Sequence, residues 1–327
     1  MKQKVLAILF AAIFGGCGTS DENADAILKM PAYSHLTDSI KQQPENPELY
    51  YKRGALLLQN GETKHAEADL KKAYRLKKDE QYALGVVNVL RQKNVDSAIT
   101  FIETASRELP QSIALRISHA RGYQQKGDLE KSINICEEIL AEFPNQLDAL
   151  LLKAEILLQQ KKPSEALSTL ETAYTYAPFD AELAHNLAFQ YAEAKNEKVV
   201  KLCDSLIKAD VGEKHADPYY FKGVYYANMG NKKQALQFFD EAIQHDYNFL
   251  DAYMDKGNLL YDAKQYKEAL QTFELAATVS PTFAEAYYWL GKTKEAMGNK
   301  KEAKLDYQRA YGLDKNLADA KAAADKL

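Results

Sequence analysis

The chain has 327 residues, with 42 Lys and Arg against 46 Asp and Glu, and a net charge of −4. A mildly acidic sequence without a basic patch argues against a nucleic-acid partner. Three cysteines and six histidines are scattered along it, a poor start for metal or nucleophile chemistry.

In chain order, Lys2 and Lys4 come first, residues 5–14 are apolar, and Phe14, Gly15 and Gly16 lead to Cys17. An apolar run this short falls well below the roughly 20 residues that cross a bilayer core, but it suits a secretory signal. Small residues directly before a cysteine resemble the lipobox of bacterial lipoproteins, whose cysteine is acylated and becomes the new N-terminus. Phe14 stands where Leu is usual. The resemblance implies a signal peptide over residues 1–16, palmitate-type lipidation of Cys17, and a lipidated tether over residues 17–30. Loss of Lys2 and Lys4 with the signal, and of no acid, moves the net charge from −4 to −6. Two or more acyl chains would anchor the protein stably in a membrane. Gly18 replaces the Asp that retains many lipoproteins in the inner membrane, which favours the outer one. Ser20, Asp21 and Glu22 resemble an acidic surface-display signal. A periplasmic and a surface-exposed location both stay open.

Tyr33, Leu36 and Ile40 follow i, i+3, i+7 spacing between Pro31 and Pro44, the mark of an amphipathic helix. From there one period governs the chain. Pro110, Pro144 and Pro178 are 34 residues apart, and Gly223, Gly257 and Gly291 keep the same step. So do Ala235, Ala269 and Ala303, then Phe239, Phe273 and Tyr307, then Ala242, Ala276 and Ala310. A 34-residue period with an aromatic, Leu-Gly, Ala, aromatic and Pro at set offsets resembles the tetratricopeptide repeat (TPR), a pair of helices. Units begin near Pro47, Asp79, Ile113, Leu147, Ala181, Ala216, Leu250 and Ala284. The second unit is short, because Ala66 and Ala98 are only 32 residues apart. The third has Cys136 in an aromatic slot. The fifth matches worst, with Val200 and Asp204 in the Ala and aromatic slots if its register is regular. Leu317, Ala320, Ala324 and Leu327 close the chain as a second amphipathic element.

The resemblance implies an all-α fold, a right-handed α-solenoid of about eight helix pairs. Residues 31–46 form an N-terminal capping half-repeat, residues 47–315 the array, and residues 316–327 a C-terminal capping helix that shields the last apolar face. No span is left for a separate catalytic domain, and neither HExxH nor Gly-x-Ser-x-Gly occurs. An enzyme, a cofactor and a metal site are therefore not expected. Cys136 and Cys203 fall on second helices about two repeats apart, beyond disulfide reach, and read as buried thiols.

In the TPR family the first helices line the inner, concave face, and function is expected there. The fifth position of successive first helices holds His185, Tyr220, Met254 and Tyr288, with Phe189, Asn258, Tyr261 and Trp289 beside them. The second position holds Glu182, Asp217, Asp251 and Glu285. Aromatic and Met side chains beside Asp217, Asp251 and Glu285 suit a protein or peptide partner with basic and apolar residues. Two plainer roles compete: carboxylates favour helix N-termini, and the large side chains also suit packing between repeats. The Lys/Asn/Arg clamp by which some TPR proteins grip a C-terminal carboxylate is absent, since Tyr51, Ala55, Tyr220 and Val224 occupy its positions.

A membrane-tethered protein-binding scaffold, resembling outer-membrane TPR lipoprotein adaptors, is the leading expectation. A glycan-binding surface lipoprotein and a subunit of a secretion or motility assembly are the alternatives. The anchor has a direct test. Cys17→Ala is expected to leave the signal uncleaved or to release the chain from membranes, read by detergent-phase partitioning; unchanged maturation and partitioning would sink the lipidation.

Overall fold

A computed structural model describes residues 26–210, 212 and 215–327. The signal peptide, Cys17 and most of the tether lie outside the described residues. The described chain is helical throughout, with eighteen helices and no strand. None of these helices is long and apolar enough to cross a membrane.

Two compact units divide the chain, one ending at Glu142 and one spanning Phe143–Leu327. The first unit opens with the single helix α1 (Pro31–Gln42) and continues with three pairs. These are α2 (Pro47–Gln59) with α3 (Thr63–Leu76), α4 (Glu80–Lys93) with α5 (Val95–Glu108), and α6 (Ile113–Lys126) with α7 (Leu129–Glu142). The second unit holds five pairs: α8 (Leu147–Gln159) with α9 (Pro163–Tyr176), α10 (Ala181–Glu193) with α11 (Lys198–Ala209), α12 (Asp217–Asn228) with α13 (Lys232–His245), α14 (Leu250–Asp262) with α15 (Tyr266–Val279), and α16 (Ala284–Ala296) with α17 (Lys300–Leu313). The single helix α18 (Ala318–Lys326) ends it. The repeat solenoid expected from the 34-residue period is thus present, and every first helix starts within a residue of its expected position.

Capping residues set these starts. The side chains of Asn46, Asp79, Ser112 and Asp180 accept N–H groups of the first turns of α2, α4, α6 and α10, donors a helix cannot satisfy itself. The turn inside each pair is equally uniform. Gly61, Gly127, Gly230 and Gly298 have φ of +81°, +85°, +75° and +87°, and Lys161, Lys195 and Lys264 hold the same turn position at +59°, +55° and +60°. After each of them the next N–H bonds back across the helix end, as Gln265 does to Leu260 at 2.9 Å and Asn299 to Lys294 at 2.8 Å, the Schellman pattern. The second repeat lacks this residue altogether. Asn94 alone joins α4 to α5, and its side chain caps α5 through the Ser97 N–H at 2.8 Å. That deletion is the shortening seen in the sequence.

Size matching sets how closely the helices of a pair approach. A Cβ on Gly257 would come within 2.4 Å of the Phe273 ring, one on Gly223 within 2.6 Å of Phe239, and one on Gly291 within 2.7 Å of Tyr307. Where the first helix carries Ala120, Ala154 or Ala188 instead, the corresponding slot on the second helix holds Cys136, Leu170 or Cys203, all buried. Cys136 is therefore the smaller partner of a larger neighbour at a position where the last three repeats carry a ring. Ser132, in an alanine slot, is fully buried because its hydroxyl donates to the Ala120 carbonyl at 2.6 Å.

The fifth repeat departs from the expected register. Val199 and Cys203 are fully buried, whereas Val200 is half-buried and Asp204 exposed. Val199 follows the turn residue Lys195 by four places, where Ala166, Ala235, Ala269 and Ala303 follow theirs by five, so the core positions fall one place early. Cys136 and Cys203 are both buried, and neither is part of a disulfide.

In the first unit, Arg53 is buried and its guanidinium donates to both carboxylate oxygens of Asp69 at 2.6 and 2.8 Å, and to Thr37 at 3.0 Å. Removing one partner of such a pair typically costs about 3–5 kcal/mol, since it strands a buried charge. Tyrosines also stitch repeats together: Tyr74 donates to Glu108 and Tyr82 to Glu48, in each case 34 residues away. At the far end Ala320 and Ala324 of α18 are buried in the same core as Phe273, Tyr287 and Tyr307, so this helix does shield the last pair.

Two substitutions in one helix pair are expected to move stability in opposite directions. Gly257→Ala should overpack the Phe273 contact and cost about 1–3 kcal/mol. Lys264→Gly should relieve a left-handed backbone and gain about 1 kcal/mol. Urea denaturation of both variants measures the pair; equal shifts would contradict the packing described.

Candidate functional site

The first helices α10, α12, α14 and α16 of the second unit carry every residue expected to meet a partner. The fold sorts them into three groups rather than one continuous ladder.

The central group surrounds Asp255. Tyr220 is half-buried, edge-on to Phe249 at 5.0 Å, and its hydroxyl donates to Asp255 Oδ2 at 2.8 Å. Burial pushes the Asp255 carboxyl above the usual carboxylate range; the Tyr220 hydrogen bond works against this, and the charges of Asp251, Glu193 and Glu285 add to the rise. Burial, then the Asp255 charge and its hydrogen bond, likewise push the Tyr220 phenol up. No Lys or Arg among the described residues pairs with Asp255. Four carboxylates thus act on one another around an aromatic wall, an arrangement that attracts a cation. The Asn258 side-chain oxygen, one turn along α14, is buried without a hydrogen-bond partner.

The second group is aromatic. Tyr261 lies edge-on to Trp289 at 5.5 Å, and Tyr288 lies 6.1 Å from the same ring. The Lys292 ammonium sits 4.0 Å from the Trp289 ring centre, 5.5 Å from Tyr261 and 5.6 Å from Tyr288. Three π faces around an ammonium form a cation–π recess.

The third group is at α10. Phe189 packs on Phe221 at 5.7 Å, with His185 6.3 Å from the same ring. His185 also faces His215 at 5.7 Å, and Asp217 offers a carboxylate to both imidazoles.

Three expected features are placed differently. Met254 is only 5% exposed and belongs to the core with Tyr253 and Phe273, so its side chain serves packing between repeats. The second-position acids form no single edge: Asp251 and Glu285 act on Asp255, while Asp217 lies with His185 and His215. The histidines, which showed no metal-like spacing in the sequence, are brought together from successive repeats. Asp255 and Glu193 were missed, because only repeat stacking places them beside Asp251, Glu285 and Tyr220. Asp255 directly follows the ladder residue Met254, and that adjacency was the available signal.

In the first unit a groove of about 310 Å³ on the first-helix side is lined by Tyr51, Ala55, Leu58, Asn88 and Gln92. Amides and apolar groups line it, with no cationic clamp.

Tetratricopeptide-repeat models match residues 47–80, 123–190, 216–248, 257–298 and 284–317, more than half of the chain. With the paired helices and their turn geometry, this makes the chain a member of the tetratricopeptide-repeat family. A crystal structure of a tetratricopeptide repeat protein from Parabacteroides merdae has a TM-score of 0.59 at 18% identity, over 74% of this chain and 96% of that one, a likeness of fold. Protein O-mannosyl-transferase TMTC3 of Homo sapiens is 25% identical over 193 residues, 59% of this chain and 18% of that protein. DnaJ homolog subfamily C member 3 of Gallus gallus is 28% identical over 158 residues, 43% of this chain and 31% of that protein. The chain therefore spans under a third of either curated relative. The TPR scaffold is suited to binding proteins or peptides, and typical members have no catalytic role of their own.

Asp255 has a measurable signature. A carboxyl whose folded pKa is raised stabilises the fold below its unfolded pKa, and that contribution is lost as pH rises through the folded value. Asp255→Asn keeps an acceptor for Tyr220 and removes the half-buried charge. It is expected to melt higher than the parent at pH 7, with the gap closing at pH 3. Melting curves across this range decide it; an unchanged or lower melting temperature at pH 7 would show that the ionised form is compensated.

Proposed function

We propose that this chain is a membrane-anchored scaffold of the cell envelope that binds a protein or peptide partner carrying basic and apolar residues. The partner lies along the first-helix face of the second unit. Asp255 carries this reading: a half-buried carboxylate among like charges, with no cationic partner among the described residues, destabilises the fold, and a cationic side chain from a partner would offset that cost. The recess formed by Tyr261, Tyr288 and Trp289 supports the same chemistry, since its rings already hold the ammonium of Lys292. Phe189, Tyr220 and their neighbours supply apolar surface on the α10 side of Asp255.

Anchoring rests on the lipobox-like residues before Cys17. Acylation there, with residues 17–30 as tether, would hold the repeats at the outer membrane. The scaffold itself needs no cofactor for this role.

Peptides that mix Lys or Arg with Leu or Phe test the reading through binding kinetics on the full repeat chain. Tyr220→Ala combined with Tyr288→Ala should weaken binding by about 2 kcal/mol or more, as loss of interface anchors does. Asp251→Asn should act mainly through association rate and salt dependence. Melting temperatures on the same proteins separate binding from packing: affinity that falls only as far as folding does assigns the tyrosines to packing. A folded double variant with full affinity would move the site off this face.

A further inference from the structure

We propose that His185, His215 and Asp217 form a binding site for one divalent transition-metal ion of the zinc, nickel or cobalt class. One ligand atom from each of the three residues lies within 4.8 Å of the other two. Around an ion bound at about 2.0–2.2 Å, neighbouring ligands sit roughly 3.3 Å apart, so closing the site needs side-chain adjustments on the order of 1 Å. Two imidazoles and a carboxylate match the preferences of these ions, whereas calcium and magnesium favour oxygen ligands alone.

The chemistry of His185 provides an independent indication. Its Nδ1 lies 2.6 Å from the Ala181 carbonyl oxygen. A carbonyl only accepts, so the ring proton is on Nδ1 and Nε2 carries a lone pair. That Nε2 is shielded from solvent and has no hydrogen-bond partner. Leaving a buried acceptor unused is unfavourable; a metal ion would use it. A backbone carbonyl that accepts from the far nitrogen is also the usual way a metal-binding histidine is oriented. His215 is positioned from outside the cluster, its backbone N–H donating to Asp210 Oδ2 at 2.8 Å. Asp217 is the first residue of α12 and half-buried, which restricts where its carboxylate can turn.

Three protein ligands leave a fourth position for water or for a donor from another molecule. Bound metal would also fasten His215, just before α12, to α10, linking successive repeats.

The full chain, stripped with a chelator and dialysed, is titrated with zinc chloride by calorimetry and with cobalt chloride by absorption. One saturable equivalent per chain is expected, with the visible bands of a nitrogen- and oxygen-ligated cobalt centre and a higher melting temperature in zinc. His215 is exposed, so His215→Ala should melt normally without metal yet lose affinity at least about tenfold. Asp217→Asn should weaken binding in the same way, while His35→Ala, in the first unit, should leave it unchanged. Absence of saturable binding, or binding that His215→Ala leaves intact, would overturn the proposal.

Discussion

No side chain fits between Gly257 and the ring of Phe273. That exclusion, repeated at Gly223 with Phe239 and Gly291 with Tyr307, fixes how closely each pair of helices packs, and the rest of the second unit follows from it. Close pairs turn their aromatic and alanine positions inward as a continuous core. The first helices are then left to present Tyr220, Asp255, Tyr288 and Trp289 from successive repeats. Where the glycine becomes alanine, the opposing ring becomes Leu or Cys. The spacing is therefore kept by balancing volumes across the pair more than by conserving any one residue type along the chain, as a close-packed interior requires.

The same repetition concentrates charge. A carboxylate near each first-helix N-terminus is individually favourable, but stacking brings those of neighbouring repeats into one another's field. Asp251 and Glu285, with Glu193 at the C-terminal end of α10, act on the half-buried Asp255, and the fold tolerates this because its stability comes from the core behind them. The cost falls on a face whose rings and carboxylates both favour cations.

Most of the architecture was legible in the sequence, because a 34-residue period with small and large residues at fixed offsets admits few packings. Tyr33 and Ile40 announced the first helix, and Ala320 and Ala324 the last. What escaped depended on departures from the period or on contacts between repeats. In the fifth repeat the core positions fall one place early after Lys195, which moved burial from Val200 and Asp204 to Val199 and Cys203. Met254 shared the periodic position of Tyr220 and Tyr288, yet its flexible, unbranched side chain fills the core. His185 and His215 are distant in sequence and meet only because α10 touches α12.

Lys292 has a further effect on what the aromatic recess can select. It is a tethered occupant, present beside Tyr261, Tyr288 and Trp289 at an effective concentration on the order of millimolar. An incoming lone ammonium would exchange one cation for another and gain almost nothing. A ligand that displaces Lys292 must therefore bring additional contacts, such as a second cation reaching Asp255 or an apolar group beside Phe249. On the proposed reading, the recess would act as a threshold, closed to free amines and single lysines and open to a chain long enough to engage both groups at once.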